Sequence, residues 1–266
     1  MTFPRSLKAF AAALGCVTLL TLASAAPGLA NALEGITKTG VIKVAVPQDF
    51  APFGSAGPDL KPVGYDIDMA NYIAAQLGVK AEIVPVTSAN RIPYLQTQKV
   101  HIVISSLGKN PEREKVIDFS DAYAPFFSGV YGIPGVAVAK VEDLAGKTVG
   151  ATRGAIEEQE LTKNAPATAT VKRYEDNNAT ISAFISGQVD LIATGNTVAA
   201  SIAGKSASRK PELKFVVKNS PCYVGLNKGE AELLAKLNEI IGKAKTSGAL
   251  AQMSEKWLKA PLPEGF

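Results

Sequence analysis

The sequence is poor in histidine, cysteine and tryptophan. It has 266 residues, of which one is histidine, two are cysteine and one is tryptophan. So few nitrogen and sulfur ligands cannot build an ordinary zinc site. Cys16 lies in the apolar segment at the start of the chain. Once that segment is removed, Cys222 is the single remaining cysteine and no intrachain disulfide can form. We therefore expect no metal and no cofactor, and a fold that depends on its hydrophobic core.

The chain also has little net charge. It carries 28 basic and 24 acidic side chains. Removal of residues 1–32 would take away Arg5 and Lys8, which leaves 26 basic and 24 acidic side chains. No basic stripe with interleaved aromatic residues is present, so nucleic acid is not expected as a partner.

The first residues have the pattern of a secretory signal. Arg5 and Lys8 precede an Ala/Leu-rich run, which Pro27-Gly28 interrupts. Ala30-Asn31-Ala32 then supplies the small residues that signal peptidase requires. The pattern predicts a signal peptide at 1–32 and a periplasmic mature protein.

Three alternatives to this cleavage stay open. The small residues Ala23-Ser24-Ala25 form a second candidate site. The apolar run approaches the length of a membrane span, so that an uncleaved anchor is conceivable. Cys16 could instead carry a lipid, although the residue three positions before it is Ala13 rather than leucine.

Beyond the leader, short apolar runs alternate with amphipathic helical patterns. Strands are predicted at 41–46, 81–84, 102–105, 148–151, 169–174, 189–193 and 214–217, and helices at 65–77, 155–162, 177–185, 196–203, 230–245 and 250–258. Such alternation is typical of an α/β fold with parallel sheets flanked by helices. The elements form two series, separated by an extended run near Phe126 and joined again near Cys222.

One turn stands out as a candidate anion site. Residues 105–113 follow a predicted strand, and Asn110, Pro111 and Glu112 favour the start of a helix. A helix start leaves backbone N–H groups without partners, which suits an anion. Arg113 could bind a carboxylate with two parallel hydrogen bonds. The alternative is an exposed arginine paired with a nearby acidic side chain, and we expect the helix to continue through Ile117.

Several other polar or aromatic positions follow predicted strands. They are Phe50, Ser88–Arg91, Arg153–Ile156 and Gly195-Asn196. Ligands of open α/β sheets bind at the carboxyl ends of the strands. This convergence favours binding over a surface ion pair for Arg113.

The chain is similar to the periplasmic polar amino-acid-binding proteins of ABC importers, known as bacterial solute-binding protein family 3. The segments that carry the resemblance are 40–46, 50–53, 64–70, 111–113, 118–120 and 187–190. Asn90-Arg91-Ile92-Pro93 and the ending 256–263 look most like the glutamate/aspartate-binding branch.

The resemblance implies a two-lobed periplasmic binding protein fold with two crossover hinge strands. Lobe 1 would comprise 33–126 and 221–266, and lobe 2 would comprise 127–220. The protein would be a monomeric, non-enzymatic carrier that delivers a small carboxylate-bearing ligand, an acidic or polar amino acid, to the membrane subunits of an ABC permease.

The resemblance also implies which residues bind the ligand. They are Phe50, Ser88, Arg91, Ser106, Gly108, Arg113, Ala155, Ile156, Asn177 and Gly195. Arg113 would hold the α-carboxylate, helped by the backbone N–H groups of Ser106 and Gly108. Phe50 would cover the ligand side chain. Ser88 and Arg91 would face a second carboxylate.

Three positions depart from the family pattern. Gly108 stands where Thr or Ser is usual, and Ala155-Ile156 stands where a Thr is usual. Gly195 replaces an Asp that takes the ammonium group of an amino acid. An ammonium buried without a counter-charge costs several kcal/mol. Either another group takes the ammonium or the ligand is not a standard α-amino acid.

An enzyme on the same scaffold is the alternative function. Cyclohexadienyl dehydratases resemble these binding proteins and use an acidic proton donor. Glu157 or Glu158 could be that donor, although both also suit a helix N-terminus as simple charge complements.

Overall fold

The computed structural model describes residues 31–205 and 208–266. The strands are β1 (Val41–Pro47), β2 (Asp49–Phe50), β3 (Gly54–Ala56), β4 (Pro62–Val63), β5 (Lys80–Val86), β6 (Ile102–Leu107), β7 (Ile117–Ala124), β8 (Phe127–Gly132), β9 (Thr148–Thr152), β10 (Thr170–Tyr174), β11 (Leu191–Gly195), β12 (Glu212–Asn219) and β13 (Cys222–Asn227). The helices are α1 (Ala32–Thr39), α2 (Tyr65–Leu77), α3 (Arg91–Gln96), α4 (Pro111–Glu114), α5 (Ile156–Asn164), α6 (Asn177–Ile185), α7 (Asn196–Lys205), α8 (Ala231–Thr246) and α9 (Ala249–Leu258). The predicted signal peptide lies outside the described residues, except for Asn31 and Ala32. None of the helices within the described ranges is long and apolar enough to cross a bilayer.

The first five-stranded sheet has the order β5-β1-β6-β13-β7. β1 is parallel to β5 and β6, whereas β13 is antiparallel to both β6 and β7. The strands that alternate with helices are therefore parallel, as expected. β13 runs in the opposite direction because it brings the chain back from the second sheet. We call the part built on this sheet lobe 1.

The second sheet repeats this arrangement with the order β10-β9-β11-β8-β12. β9 is parallel to β10 and β11, and β8 is antiparallel to β11 and β12. β8 is the strand by which the chain enters this sheet, so it runs away from lobe 1 while β11 and β12 run towards it. We call the part built on this sheet lobe 2.

Two neighbouring segments carry the chain between the lobes. The first joins β7 to β8 and the second joins β12 to β13. The residues at their ends are paired across the sheets, Cys222 with Ala124 and Asn219 with Phe127. The crossings thus run side by side in opposite directions, which gives the fold the two crossover strands of a periplasmic binding protein.

The helix α2 shows how local sequence positions lobe 1. It begins at Tyr65 and ends at Leu77, where Gly78 adopts the left-handed conformation with φ 69°. Ile67, Met69 and Ile73 are buried against the sheet. The position of Asp66 near the start of the helix suggests that it is a cap, but its side chain does not cap the helix. It is fully buried and accepts a hydrogen bond from Tyr123 Oη at 2.6 Å.

One local expectation was wrong. The helix α4 ends at Glu114 instead of continuing through Ile117, because Ile117 begins β7 and is fully buried in the sheet. A short helix that was not predicted, α1, begins at Ala32, the residue that precedes the expected cleavage site. Asn31 caps this helix by accepting a hydrogen bond from the Leu33 N–H group.

Candidate functional site

A cavity lies between the lobes, at the carboxyl ends of the parallel strands of both sheets. About 390 Å³ in the cavity and at its solvent-filled mouth is not filled by protein atoms, and about 20 Å³ of this admits the centre of a water molecule. Lobe 1 lines it with the predicted residues Phe50, Ser88, Arg91, Ser106, Gly108 and Arg113. Lobe 2 lines it with the predicted residues Ala155, Ile156 and Asn177. The tenth predicted residue, Gly195, lies beside the cavity behind an aromatic ring.

Arg113 is buried in the cavity wall with one donor unused. Asn110 fixes the start of α4 by accepting a hydrogen bond from the Arg113 N–H group at 2.9 Å. The guanidinium donates to Gly108 O at 2.7 Å and to Gly154 O at 2.9 Å. Its Nε is buried and has no hydrogen-bond partner. Burial, and then the neighbouring Arg91, lower the pKa of Arg113 to about 9. A carboxylate ligand would satisfy the free donor and offset both costs.

Arg91 lines the cavity, but its guanidinium is already engaged within the protein. Its guanidinium donates to three backbone carbonyl oxygens, those of Ser88 at 3.0 Å, Ser105 at 2.9 Å and Gly154 at 3.0 Å. Gly154 belongs to lobe 2. Its carbonyl oxygen accepts hydrogen bonds from Arg91 and Arg113, which both belong to lobe 1. This arrangement joins the lobes and leaves Arg91 fewer donors for a second carboxylate.

The backbone N–H group of Ser106 is also engaged within the protein. It donates to Asp66 Oδ2 at 2.7 Å. Ser106 has a φ of 42°, in the left-handed region that few side-chain-bearing residues adopt. The buried carboxylate thus holds the end of β6, at Ser106, in this left-handed conformation. The N–H group of Ser106 is therefore not available to a ligand carboxylate in this arrangement.

At positions 108 and 156 the chain departs from the family pattern in matching ways. The larger side chain of Ile156 fills the space that Gly108 leaves open across the cavity. A Cβ atom at Gly108 would lie 2.8 Å from Ile156 Cδ1 and 3.2 Å from Ser220 Oγ. The isoleucine of lobe 2 therefore occupies the space that a Thr or Ser of lobe 1 would need. Together the two residues replace hydroxyl groups by an apolar contact.

The departure at Gly195 has a similar cause. A Cβ atom there would lie 2.2 Å from Phe126 Cζ and 3.4 Å from Phe50 Cζ. The Phe126 ring packs against Phe50 and Phe53, with centroids 6.2 Å and 5.6 Å away. Because the ring fills this space, an Asp side chain at 195 would not fit beside it.

Asp49 and Glu157 bring negative charge into the cavity, and the sequence analysis did not assign either to the ligand site. Asp49 of lobe 1 accepts hydrogen bonds from the Asn177 N–H group at 2.6 Å and from Asn177 Nδ2 at 3.2 Å. Glu157 of lobe 2 is 4% exposed and accepts a hydrogen bond from Ser128 Oγ at 3.1 Å. Burial raises the pKa of both carboxyl groups.

The four charged side chains of the cavity do not pair with one another directly. Within residues 31–205 and 208–266, neither Arg91 nor Arg113 lies within 4.0 Å of a carboxylate oxygen. Their charges nevertheless act on each other, since both arginines favour the ionised form of Glu157. No group of three or more His, Cys, Asp or Glu side chains in the described part of the chain is placed to hold a metal ion.

Comparison with known proteins identifies the scaffold. The family model of the bacterial extracellular solute-binding proteins, family 3, matches residues 42–260. The glutamine-binding protein of an ABC transporter of Bacillus subtilis is 29% identical, with 86% of this chain and 85% of the relative covered. The glutamate/aspartate import solute-binding protein of Salmonella typhimurium is 27% identical, with 90% and 83% covered. These identities do not single out the glutamate/aspartate branch.

A solved structure bears on the enzyme alternative. It is an ancestral amino-acid-binding protein described as a precursor of cyclohexadienyl dehydratase, 32% identical to this chain, with a TM-score of 0.77 and with 86% of this chain and 100% of that chain covered. The precursor is itself named as a binding protein, and both relatives above are named for binding or import. The chain is a binding protein rather than an enzyme. It belongs to family 3 of the bacterial extracellular solute-binding proteins.

Proposed function

We propose that the protein captures a small carboxylate-bearing ligand, an acidic or polar amino acid, in the cavity between its lobes and holds the ligand carboxylate at Arg113. The observation that carries this proposal is the Arg113 Nε, which is buried in the cavity wall without a partner. A buried cation with an unused donor is costly, and a carboxylate supplies both the charge and the acceptor.

The relatives support an amino acid as the ligand. Their names specify glutamine, cystine, glutamate or aspartate, and arginine. These ligands differ in their side chains and share the α-carboxylate and α-ammonium groups. Phe50 would cover the ligand side chain, while Ser88 and Asn177 would offer polar contacts. Arg91 would stabilise the contact between the lobes, because each of its three side-chain nitrogens already donates to a backbone carbonyl oxygen.

Closure of the lobes would be the mechanism of capture. The cavity walls come from both lobes, so a ligand that contacts both walls favours the closed form over the open form. Arg91 and Arg113 meet Gly154 O, and Asp49 meets Asn177, across the same gap. The lobes would meet at 126/127 and 220/221, where the chain crosses between the sheets.

Export and delivery complete the proposal. The protein would leave the cytoplasm by its signal peptide, act in the periplasm as a monomer, and present its closed form to the membrane subunits of an ABC permease. The mature N-terminus, measured by mass spectrometry, tests the cleavage site. Cleavage after Ala32 would remove the Asn31 cap of α1, whereas cleavage after Ala25 would keep it.

A thermal-shift screen tests the binding function. The panel contains the common L-amino acids, their deaminated analogues, dicarboxylates and prephenate. A ligand at about 100 times its dissociation constant adds about 2.7 kcal/mol to the free energy of unfolding. We expect a clear rise in the melting temperature with at least one amino acid. If no compound of the panel raises it, the proposal is wrong.

A further inference from the structure

The position that usually supplies the acid for an amino acid's ammonium group has no room for one here. Gly195 ends β11, and a Cβ atom on it would lie 2.2 Å from the Phe126 ring. The ring is buried and packed against both Phe50 and Phe53. The ammonium of a bound amino acid must therefore meet a different acceptor.

Two carboxylates line the cavity, and they differ in what they already bind. Asp49 accepts two hydrogen bonds from Asn177, one of them from the first N–H group of α6. These two bonds engage both oxygens of the Asp49 carboxylate, Oδ2 and Oδ1. Among the contacts within the described ranges, the Glu157 side chain accepts one hydrogen bond from another residue's side chain, the hydroxyl of Ser128. Glu157 thus has more capacity left for a new donor.

The place of Glu157 in the fold suits this role. It lies in the first turn of α5, two residues after Ala155 and three after Gly154, whose carbonyl oxygen contacts Arg113. The carboxylate and the guanidinium thus lie on opposite lobes and line the same cavity. An α-amino acid carries its carboxylate and its ammonium on one carbon atom, so it can bridge two such groups.

The charges of the cavity wall also favour a ligand that carries both a carboxylate and an ammonium group. Arg91, Arg113, Asp49 and Glu157 are the charged residues of the wall, and their formal charges cancel. Asp66 lies behind Ser106, where the Ser106 N–H group and the Tyr123 hydroxyl already satisfy it. A zwitterion keeps the balance, whereas a ligand with a carboxylate and no ammonium would add an uncompensated buried charge.

We infer that Glu157 binds the α-ammonium group of the ligand, in place of the missing acid at 195, and so makes the site selective for α-amino acids over the matching deaminated acids. This inference rests on the proposed function. It assigns to the second lobe a specificity-determining residue, and it explains how an amino acid can bind although position 195 is glycine.

Calorimetric titration of four proteins tests the inference: wild type, Glu157→Gln, Glu157→Asp and the control Glu175→Gln. Glu175 is in the same lobe, and its side chain is 78% exposed. Each protein is titrated with the common L-amino acids and with the 2-hydroxy acids that correspond to them. Melting temperatures without ligand show whether each variant is folded. Glu157→Asp keeps the negative charge on a side chain that is one carbon shorter.

We expect Glu157→Gln to weaken amino acid binding by about 30-fold or more, since loss of one partner of a buried charge pair costs at least that much. The preference for amino acids over hydroxy acids should shrink in the same variant, while Glu157→Asp keeps part of it. A purely structural role for Glu157 would weaken both ligand classes equally and would overturn the inference.

The remaining outcomes separate this inference from the proposed function. If an amino acid binds Glu157→Gln as tightly as Glu175→Gln, the inference is wrong and the binding function stands. If the wild type binds hydroxy acids and no amino acid, the inference is wrong and carboxylate capture stands. If it binds nothing in the panel, both are wrong.

Discussion

At the scale of single residues, Arg113 is the side chain on which binding depends most. We expect Arg113→Ala to weaken ligand binding by about 100-fold, because a buried ligand carboxylate would lose its cation. The melting temperature without ligand should change little, since removal of an incompletely partnered buried charge offsets the lost contacts. Calorimetric titration and thermal unfolding measure the two effects. Lys115→Ala, an exposed position two residues further on, is the control. Affinity within threefold of wild type for Arg113→Ala would contradict the assignment.

The aromatic packing at Gly195 gives a second prediction at this scale. We expect Gly195→Ala to lower the free energy of unfolding by about 1–3 kcal/mol, since the new methyl group would meet a buried ring with little freedom to move. Gly242→Ala is the matched control, because a Cβ atom on that glycine of α8 meets nothing within 4 Å. Denaturant unfolding measures both variants. Equal stability of the two would show that the Phe126 ring adapts.

A third prediction concerns the pair Gly108 and Ile156. The Cβ atom of Gly108→Ala would lie 2.8 Å from Ile156 Cδ1, and Ile156→Val deletes that atom. We expect Gly108→Ala to weaken ligand binding about tenfold and Ile156→Val to restore most of the loss in the double variant. Contacting residues typically show coupling of about 0.5–3 kcal/mol in such a cycle. Additive effects of the two substitutions would mean that the residues do not share this space in the bound form.

The positions of site residues could be predicted from the sequence only where a local pattern indicates them. The cap at Asn110 and the position of Arg113 could be predicted because a helix start has its own sequence signature. Glu157 was considered only as a helix charge or a proton donor, because sequence alone does not say which of Glu157 and Glu158 faces the cavity. The structure separates them, since Glu158 pairs with Arg173 at 2.6 Å.

At the scale of elements, the sequence predicted those helices and strands whose apolar period and end signals lie within their own residues. The helix α2 has the predicted bounds, because its apolar period is regular and Gly78 ends it. The predicted helix through Ile117 failed because burial in the sheet, which depends on distant strands, outweighs the local preference. The direction of β13 could not be predicted either, since it follows from the route of the chain between the lobes.

The turn between β9 and α5 gives the element-scale prediction. Gly154 has a φ of 77°, and a Cβ atom on it would lie 2.8 Å from Ala89 Cα, which belongs to the other lobe. We expect Gly154→Ala to hinder closure and to weaken ligand binding at least tenfold. Small-angle scattering should then show little ligand-induced compaction.

Gly146→Ala is the matched control for this prediction. Gly146 lies in the same lobe with a φ of 70°, and a Cβ atom there meets nothing within 4 Å. It therefore carries the same backbone strain without the contact between the lobes. If both variants lose affinity equally, strain within lobe 2 rather than the contact between the lobes is responsible.

At the scale of the whole molecule, the buried Asp66 links stability to pH. Burial raises its pKa from 3.8 to about 7. A carboxyl group with a raised pKa in the folded state stabilises that state most below the unfolded pKa, and this contribution is lost as the pH rises through the folded pKa. We expect the melting temperature of the ligand-free protein, relative to Asp66→Asn, to fall as the pH rises from about 4 to about 8.

Thermal unfolding of wild type and Asp66→Asn across this pH range measures the effect. The carboxyl groups of Asp49 and Glu157 also have raised pKa values. Their contributions are common to both proteins and cancel in the difference. Parallel curves for the two proteins would mean that Asp66 does not titrate differently in the folded state.

The two-lobed architecture is what makes all of these residues act together. The alternation of strands and helices predicted two series of elements. Candidate ligand residues follow strands in both series, which predicted a site at the carboxyl ends of those strands. The sequence could not show how the fold accommodates the departures from the family pattern, because Gly108 meets Ile156 and Gly195 meets Phe126 only after the chain has crossed between the lobes.

A crystal structure of the protein with the amino acid that gives the largest thermal shift tests the central claim most directly. We expect a ligand between the lobes, with its carboxylate within hydrogen-bond distance of Arg113 Nε. A ligand bound elsewhere, or a bound ligand that leaves Arg113 Nε without a partner, would contradict it.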